Sequence, residues 1–395
     1  MKNFTWRPRA LGLVAVLVFT VLGLVTLGAG QGGGGGRGAA PAQGGAAGRA
    51  GGAARGRAGA PANPDDWRVD PTRGPVDLGL TDPSLIGAID VHQHLDPDAP
   101  GTGGQVRALD GFEAAIMAKQ RGMRGIVFKT HQDPTSAAVA YLVRKHAVPG
   151  FEMFGRMASN FSTGGINVAA VEHFSQIKGG WGRIVEMPTR DSVTGARNMD
   201  PAFLAQNRPW MILMPPGTPQ YVATSKDGQL TPEVKYLIGV MSKIRTVDSN
   251  GRLVLATGNA TPEEHLLLTA EARRQGLQVL LTHPGDIPQL PEVVRLGAFI
   301  EMNASGIYKT DAGSQAAADL VRKVGAEHII VGTDCGQTVN VYPTDCLALA
   351  ARGMRAHGVT QRELDLMYKV NPAKLLGLPP LEETRVLPST TASRQ

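Results

Sequence analysis

From Leu85 onward, short apolar runs rich in β-branched residues alternate with longer stretches whose apolar positions recur every three or four residues. The short runs are typical of buried parallel strands and the longer stretches of amphipathic helices. The eight predicted strands are residues 86–90, 125–129, 151–158, 183–187, 253–257, 279–282, 298–301 and 329–332. The helices predicted among them are residues 111–121, 137–146, 168–178, 262–275, 291–296, 314–324 and 346–356.

This alternation predicts an α/β fold with one domain over residues 64–380, a closed (β/α)8 TIM barrel. A longer insertion, residues 190–250, separates the fourth and fifth strands and contains a predicted helix near 234–245. The alternative is a doubly wound open sheet, which normally carries a glycine-rich phosphate-binding turn after its first strand. Here the first strand runs into His92-Gln93-His94 instead, and this favours the barrel.

The polar residues that could carry chemistry follow the predicted strands at their carboxyl ends, where the active sites of such barrels lie. In chain order these candidates are His92, His94, Lys129, His131, Asn160, Glu186, Arg190, Asn259, His283, Glu301, Asn303 and Asp334. The remaining histidines lie in helical patterns or at the opposite face, and we interpret them as structural or solvated: His146, His173, His265, His328 and His357.

A metal site is the chemistry that these residue types favour. His92 and His94 stand two positions apart, so a strand presents both imidazoles on one face and they can bind one cation. Asp334 follows an all-apolar strand, where an unpaired carboxylate is costly, so it needs a metal or a cationic partner. His283 stands in a similar position after the sixth strand. Together these residues predict a divalent metal at one rim.

The constellation resembles the amidohydrolase superfamily, which has His-x-His on strand one, a bridging residue on strand four, histidines on strands five and six, and Asp on strand eight. The chain is more similar still to an uncharacterised amidohydrolase-like family. The matching segments are residues 90–98, 122–135, 184–190, 255–264, 281–284, 297–301, 332–337 and 371–378. The resemblance spans residues 85–378 and implies hydrolysis of an amide, ester, lactone or phosphoester bond in a small molecule. Because the superfamily includes decarboxylases, a metal-dependent decarboxylase is an alternative.

Two departures from the family pattern bear on the number of metals. Strand four ends in Glu186 rather than a carboxylated lysine, and strand five presents Asn259 where the family has a histidine. An amide oxygen is a poorer ligand for zinc than an imidazole. We therefore expect one Zn²⁺ or similar cation, with a second only if His131 replaces the missing imidazole. Asn259 is also the one feature that favours a non-catalytic binding barrel.

The roles that the resemblance implies are as follows. His92, His94 and Asp334 hold the first metal, and His131, Glu186 or His283 completes, bridges or extends the site. Asp334 accepts a proton from water whose pKa the metal lowers to about 7, and His283 orients or polarises the substrate. Lys129 is a substrate clamp or an ion-pair partner of the strand-four glutamate. Arg190, Asn259 and Asn303 are the candidate substrate-binding residues, with Arg190 suited to an anionic group.

The first 63 residues predict export. A cationic flank at residues 2–9 and an apolar run at 10–29 are typical of a signal peptide or an N-terminal membrane anchor within residues 1–30. Residues 31–63, rich in Gly, Ala and Arg, predict a disordered linker, and residues 381–395 a disordered tail. The barrel is then periplasmic or tethered to the membrane on its outer face.

Charge and cysteine content add two further expectations. Much of the net charge of +6 comes from residues upstream of the barrel, and no basic stripe interleaved with aromatics is present, so nucleic acid is not an expected partner. The two cysteines, Cys335 and Cys346, could form a disulfide in an oxidising compartment. Two buried thiols are the favoured interpretation. The sequence makes no prediction of oligomeric state.

Overall fold

Eight parallel strands form the centre of the structure, a computed structural model that describes residues 77–98, 107–197 and 219–381. Each strand pairs with its neighbours in chain order. The strands are β1 Ile89–His94, β2 Gly125–Thr130, β3 Glu152–Ala158, β4 Gly182–Glu186, β5 Val254–Ala256, β6 Gln278–Leu281, β7 Phe299–Asn303 and β8 Ile329–Gly332.

The first and last strands meet and close the sheet into a barrel. The Asp334 backbone N–H donates to the His92 carbonyl at 2.8 Å, and the His94 N–H donates to the Cys335 carbonyl at 2.9 Å. The predicted (β/α)8 barrel is therefore confirmed, and the doubly wound alternative is wrong.

Helices connect successive strands, because the chain must return along the outside of the barrel before the next parallel strand begins. They are α1 Gly111–Gln120, α2 Ser136–Leu142, α3 Val168–Gln176, α4 Val193–Arg197, α5 Pro232–Lys243, α6 Pro262–Arg274, α7 Leu290–Arg295, α8 Ala304–Ile307, α9 Asp311–Val324, α10 Pro343–Ala356, α11 Gln361–Asp365 and α12 Asn371–Leu376. Between β4 and β5, the described part of the insertion holds α4, α5 and a small hairpin, Ser225–Lys226 with Gln229–Leu230.

The inside of the barrel is apolar in one layer and polar in the next. The apolar layer is a buried cluster to which every barrel strand contributes: Ile89, Val91, Val127, Phe154, Ile184, Val254, Leu280, Phe299 and Ile330. Two positions further along β2, β3, β4 and β7 stand Lys129, Arg156, Glu186 and Glu301, all buried. Because alternate residues of a strand share a face, these charged side chains point into the same interior, nearer the carboxyl ends.

The first strand begins later than predicted. Residues 86–90 were expected to form it, but Ile86 is exposed and Gly87 has a φ of 79°, after a 3-10 turn at Pro83–Leu85. β1 runs instead from Ile89 to His94, and an irregularity in its pairing with β2 lies between Asp90 and Gln93. His92 and His94 therefore belong to the strand itself rather than to the loop after it.

The cysteines and the termini complete the comparison with the sequence. Cys335 and Cys346 form a disulfide, so the interpretation as two thiols is wrong. The bond forms because the loop after β8 returns directly to the first turn of α10. Among the described residues, no helix is long and apolar enough to cross a membrane. The predicted leader at 1–30, the linker at 31–63 and residues 382–395 of the predicted tail lie outside the described residues.

Candidate metal centre

Three side chains converge at the seam between β1 and the loop after β8. His92 and His94 face each other with their Nε2 atoms 3.2 Å apart. Asp334 Oδ1 lies 3.3 Å from His92 Nε2 and 2.9 Å from His94 Nε2. These are the three residues of the described chain whose potential ligand atoms all lie within 4.8 Å of one another. The predicted first metal position is thus assembled, and we call these three residues the ligand group.

The spacing of the ligand group fits a small divalent cation. Zinc binds imidazole nitrogen and carboxylate oxygen at about 2.0–2.2 Å in tetrahedral geometry, which sets two ligand atoms about 3.3 Å apart. The three observed separations fall at or slightly below that value. Two buried Nε2 atoms that face each other would compete for one proton, whereas both lone pairs can bind a shared cation. The residues present therefore fit a zinc-type metal.

Two neighbouring side chains orient the ligand group. Glu301 Oε1 lies 2.6 Å from Nδ1 of His92, and this pairing keeps the ring proton on Nδ1 and directs the Nε2 lone pair at the metal position. Asn303 donates through Nδ2 to Asp334 Oδ2 at 2.9 Å, which leaves Oδ1 towards the histidines. Asn303 was expected to bind substrate, and in the structure it contacts Asp334 of the ligand group.

In the ligand group, burial favours neutral histidines, and the neighbouring histidines favour an ionised aspartate. Burial lowers the pKa of His92 and of His94, so both rings favour the neutral form that a metal requires. Burial would raise the pKa of Asp334, but the adjacent His92 and His94 hold the pKa of this carboxyl well below its usual range.

Glu186 lies in a separate ion-pair network inside the barrel. Arg156 donates from Nη2 to Glu186 Oε1 at 2.6 Å and to Glu301 Oε2 at 3.2 Å. Lys129 Nζ lies 3.2 Å from Glu186 Oε2, and Thr282 donates to Oε1 at 3.1 Å. We call Lys129, Arg156, Glu186 and Glu301 the interior network. Its geometry does not bring Glu186 into the ligand group, and it makes Lys129 an ion-pair partner of Glu186, one of the two roles expected of it.

His131 lies beside the ligand group without joining it. Its ring stacks on that of His94 with centroids 4.7 Å apart, and its Nδ1 lies 3.1 Å from Thr189 Oγ1. Its backbone N–H donates to the carboxylate of Asp98 at 3.1 Å. Asn160 donates to the His131 carbonyl at 2.9 Å and so fixes the same loop.

His283 and Asp334 share an unusual backbone conformation. Both have positive φ angles, 27° and 51°. His283 stands just after the end of β6, and Asp334 just after the end of β8. Non-glycine residues in this region are strained and cluster at functional sites. The His283 ring stacks on that of His92 at 6.0 Å between centroids and lies half-buried at the mouth of the barrel. It therefore borders the metal position from the side of β6.

Arg190 and Asn259 stand further out. Both are half-buried, and Arg190 is close enough to His131 to contribute to the lowering of that pKa, after burial and Lys129. The Asn259 backbone is fixed by hydrogen bonds to Pro188 and from Thr194. That Asn259 stands where a second metal would need an imidazole stays a prediction from the sequence.

Sequence reasoning missed Arg156 and the link from Glu301 to His92. Arg156 lies in a strand that is otherwise uncharged apart from Glu152 at its first position, and it is completely buried. A charge in such a strand needs partners inside the fold, and this signal was available in the sequence. Arg107, which follows β1 in the chain, is also buried and was not among the predicted site residues.

One protein-family model covers most of the barrel. A model of a family of unknown function, DUF6282, matches residues 87–301. The chain belongs to this family. None of the curated proteins matches it. The similarity to an uncharacterised family that the sequence indicated is confirmed by this match.

Three solved structures illustrate the likeness. A probable 2-pyrone-4,6-dicarboxylic acid hydrolase from Acinetobacter baumannii, with citric acid bound, is 13% identical, covers 74% of this chain and 100% of its own, and has a TM-score of 0.47. An amidohydrolase from Burkholderia multivorans with bound zinc is 12% identical, with 74% and 99% covered and a TM-score of 0.47. A 2,6-dihydroxybenzoate decarboxylase from Rhizobium is 11% identical, with 74% and 99% covered and a TM-score of 0.45. Such distant likenesses carry no argument about the reaction.

Proposed function

We propose that this DUF6282 protein is a metal-dependent hydrolase that uses one divalent cation, Zn²⁺ or similar, to cleave an amide, ester, lactone or phosphoester bond of a small molecule. The observation that carries the proposal is the convergence of two imidazole nitrogens and one carboxylate oxygen at tetrahedral ligand spacing. Three protein ligands with an open fourth position are typical of a catalytic zinc rather than a structural one.

The side chains divide the work by their contacts. His92 and His94 hold the cation, and Glu301 keeps the tautomer of His92 that this requires. Asp334 is partly accessible to solvent and is fixed by Asn303, so its carboxylate can accept a proton from a water in the barrel mouth. A divalent metal bound there would supply Lewis acidity and lower the pKa of a water to about 7.

The remaining residues shape and orient the substrate. His283 lies across the mouth from His131, with both rings stacked against rings of the ligand group, so the two imidazoles border the volume above the metal position. His283 can donate to a carbonyl or phosphoryl oxygen from there. Lys129 lies in the interior network, where it is paired with Glu186.

Metal analysis of the purified protein tests the proposal first. We expect about one equivalent of tightly held metal per chain, and His92→Ala should lose it together with all activity, because removal of one of three ligands weakens binding by well over ~100-fold. His146, which is exposed at the end of α2, provides a matched histidine control: His146→Ala should retain the metal.

Activity is then sought with lactones, cyclic amides, carboxylic esters and phosphotriesters, and with aromatic carboxylates for CO₂ release. Hydrolysis that depends on the metal supports the proposal. Release of CO₂ without hydrolysis would assign the chain to decarboxylation instead. A protein with no bound metal, or full retention of metal in His92→Ala, would contradict the site.

A further inference from the structure

Arg107 is a buried cation whose hydrogen bonds are incomplete. It is 4% exposed, and its Nη2 donates to Asp98 Oδ2 at 3.0 Å. Within the described ranges, its Nε and Nη1 have no hydrogen-bond partner. A guanidinium carries five N–H donors and remains protonated in proteins, and an unmatched buried donor costs free energy. Two of its three nitrogens are therefore available to an acceptor that the chain does not supply.

The backbone holds Arg107 at the rim of the metal centre. The residue forms an antiparallel bridge with Gln337, three positions after the ligand Asp334. The next N–H, that of Ala108, donates to the carbonyl of Gly336 at 2.7 Å. Gly336 packs so closely against the His94 carbonyl that a Cβ at this position would overlap the oxygen. Arg107 therefore lies among the loops at the same end of the barrel as His94 and Asp334.

Asp98 fixes the guanidinium from the other side. Its two carboxylate oxygens accept the backbone N–H of His131, each at 3.1 Å, in addition to the bond from Arg107. Arg107 is therefore positioned between the loops that follow β1, β2 and β8. It is also close enough to His94 and His131 to help lower the pKa of both rings, although burial is the larger cause.

The charge distribution around the ligand group favours an anion. Glu186 is neutralised by Arg156 and Lys129, and Glu301 is paired with Arg156 and His92. Asp334 is then the one carboxylate in the ligand group, so a divalent cation held there keeps an excess of positive charge. A negatively charged group of a ligand would offset that excess, and the donors of Arg107 lie beside it.

The surroundings of Arg107 favour a carboxylate over a phosphate. Helix α1 begins just after it, and a helix N-terminus would normally assist phosphate binding. Here the Asp110 side chain accepts from the backbone N–H groups of Phe112 and Glu113, and Glu113 reaches back to the Asp110 N–H. Two carboxylates thus occupy this helix end and would repel a dianion. Arg107 already pairs with Asp98, so it offers hydrogen-bond donors rather than a free charge, and these suit a monoanionic carboxylate better than a dianion.

We propose that Arg107 is a specificity-determining residue that binds a carboxylate group of the substrate through a donor that the chain leaves unmatched, either Nε or Nη1, next to the metal centre. The substrate is then a small carboxylic acid that carries the hydrolysable bond within reach of the ligand group. This inference rests on the proposed function for the adjacent cation, but Arg107 and its partners are independent of it.

Binding of two matched probes, benzoate and uncharged benzamide, tests the proposal by calorimetry on the full-length protein, with zinc content measured in the same samples. Wild-type protein should bind benzoate at least ~10-fold more tightly than benzamide, because hydrogen bonds to an ionised acceptor are stronger. In Arg107→Met this preference should nearly vanish at unchanged zinc content. Arg295→Met, which removes an exposed arginine of α7, should keep it.

Loss of the pair with Asp98 could prevent Arg107→Met from folding, so the double variant Asp98→Asn/Arg107→Met removes both charges at once and keeps the test available. Equal binding of the two probes by wild type, or an undiminished preference in either variant, would overturn the proposal. Inorganic phosphate that competes as well as benzoate would overturn the assignment to a carboxylate. The same titrations on metal-free protein separate the two proposals: absence of zinc defeats the proposed function, whereas benzoate preference there still reports on Arg107.

Discussion

The ligand group and the interior network are adjacent polar regions of one barrel, and they differ in completeness. In the interior network every carboxylate has a cationic partner at 2.6–3.3 Å and no side chain is exposed by more than 2%. In the ligand group, two histidines and Asp334 direct their atoms at one another, and none of the described lysines or arginines lies between them. Asp334 also keeps 28% of its side chain accessible.

This difference separates structural charge from functional charge. A buried ion pair whose partners all come from the chain needs nothing further, although it adds little net stability over apolar packing. A convergent group of lone pairs without its own cation is stable only at a cost, and such a cost is retained where a ligand offsets it. Glu301 joins the two regions, since one of its oxygens contacts His92 and the other contacts Arg156.

The largest expected effect comes from breaking the interior network. Arg156→Met would leave Glu186 and Glu301 buried without their main partner, and we expect the free energy of unfolding to fall by about 3–5 kcal/mol. The cause is visible in the pKa of Glu301: burial would raise it, but Arg156 and His92 lower it to about 2. Urea denaturation measures the change, with Arg295→Met on exposed α7 as a control that should leave the free energy of unfolding nearly unchanged. Equal losses in the two variants would show that the network is not held by Arg156.

A smaller effect, on metal affinity, is expected where the two regions join. Glu301→Gln replaces the carboxylate at His92 Nδ1 with a neutral amide, and loss of such a partner weakens metal binding by about 10–100-fold. Competition with a zinc chelator measures the affinity. Glu292→Gln, at an exposed carboxylate of α7, should leave it unchanged. An unaltered affinity in Glu301→Gln would mean that His92 is oriented by other contacts.

The smallest effect is expected at the position where the family pattern is interrupted. Asn259→His supplies the imidazole missing from strand five, but Glu186 stays committed to Arg156 and Lys129. With His283 as its main remaining partner, we expect the new histidine to bind a second metal at least ~100-fold more weakly than the first. Elemental analysis across a zinc titration measures both stoichiometries. Two equivalents in the unmodified protein, one of them lost in His131→Ala, would show that His131 already supplies the second position.

The sequence was sufficient for the barrel and for the convergence of His92, His94 and Asp334, because both rest on local patterns. Apolar runs of strand length recur along the chain, and polar residues follow them. The true start of β1 was missed because Ile86 is apolar but exposed, so its burial depends on the neighbouring turn rather than on its own type.

Lys129 was expected as a possible partner of Glu186, but Arg156 was beyond a reading of local patterns. Arg156 is 30 residues distant in the chain from Glu186 and 145 from Glu301, and the pairing follows only from closure of the barrel. The same holds for Arg107, whose contacts with Asp98 and the loop after β8 depend on how three loops meet. The disulfide between Cys335 and Cys346 likewise became evident only from the return of the chain into α10.

The position of the ligand group at the seam has a consequence for how the protein is made. His94 and Asp334 are 240 residues apart in sequence, yet they lie on the two edges that join to close the barrel. During synthesis the histidines leave the ribosome long before the aspartate, and contacts of such separation form late because a long loop must first be closed. The cation position therefore does not exist until the last strand docks. Under the proposed function, metal capture would mark a finished molecule, and a chain truncated before β8 would lack Asp334 and so could not complete the site.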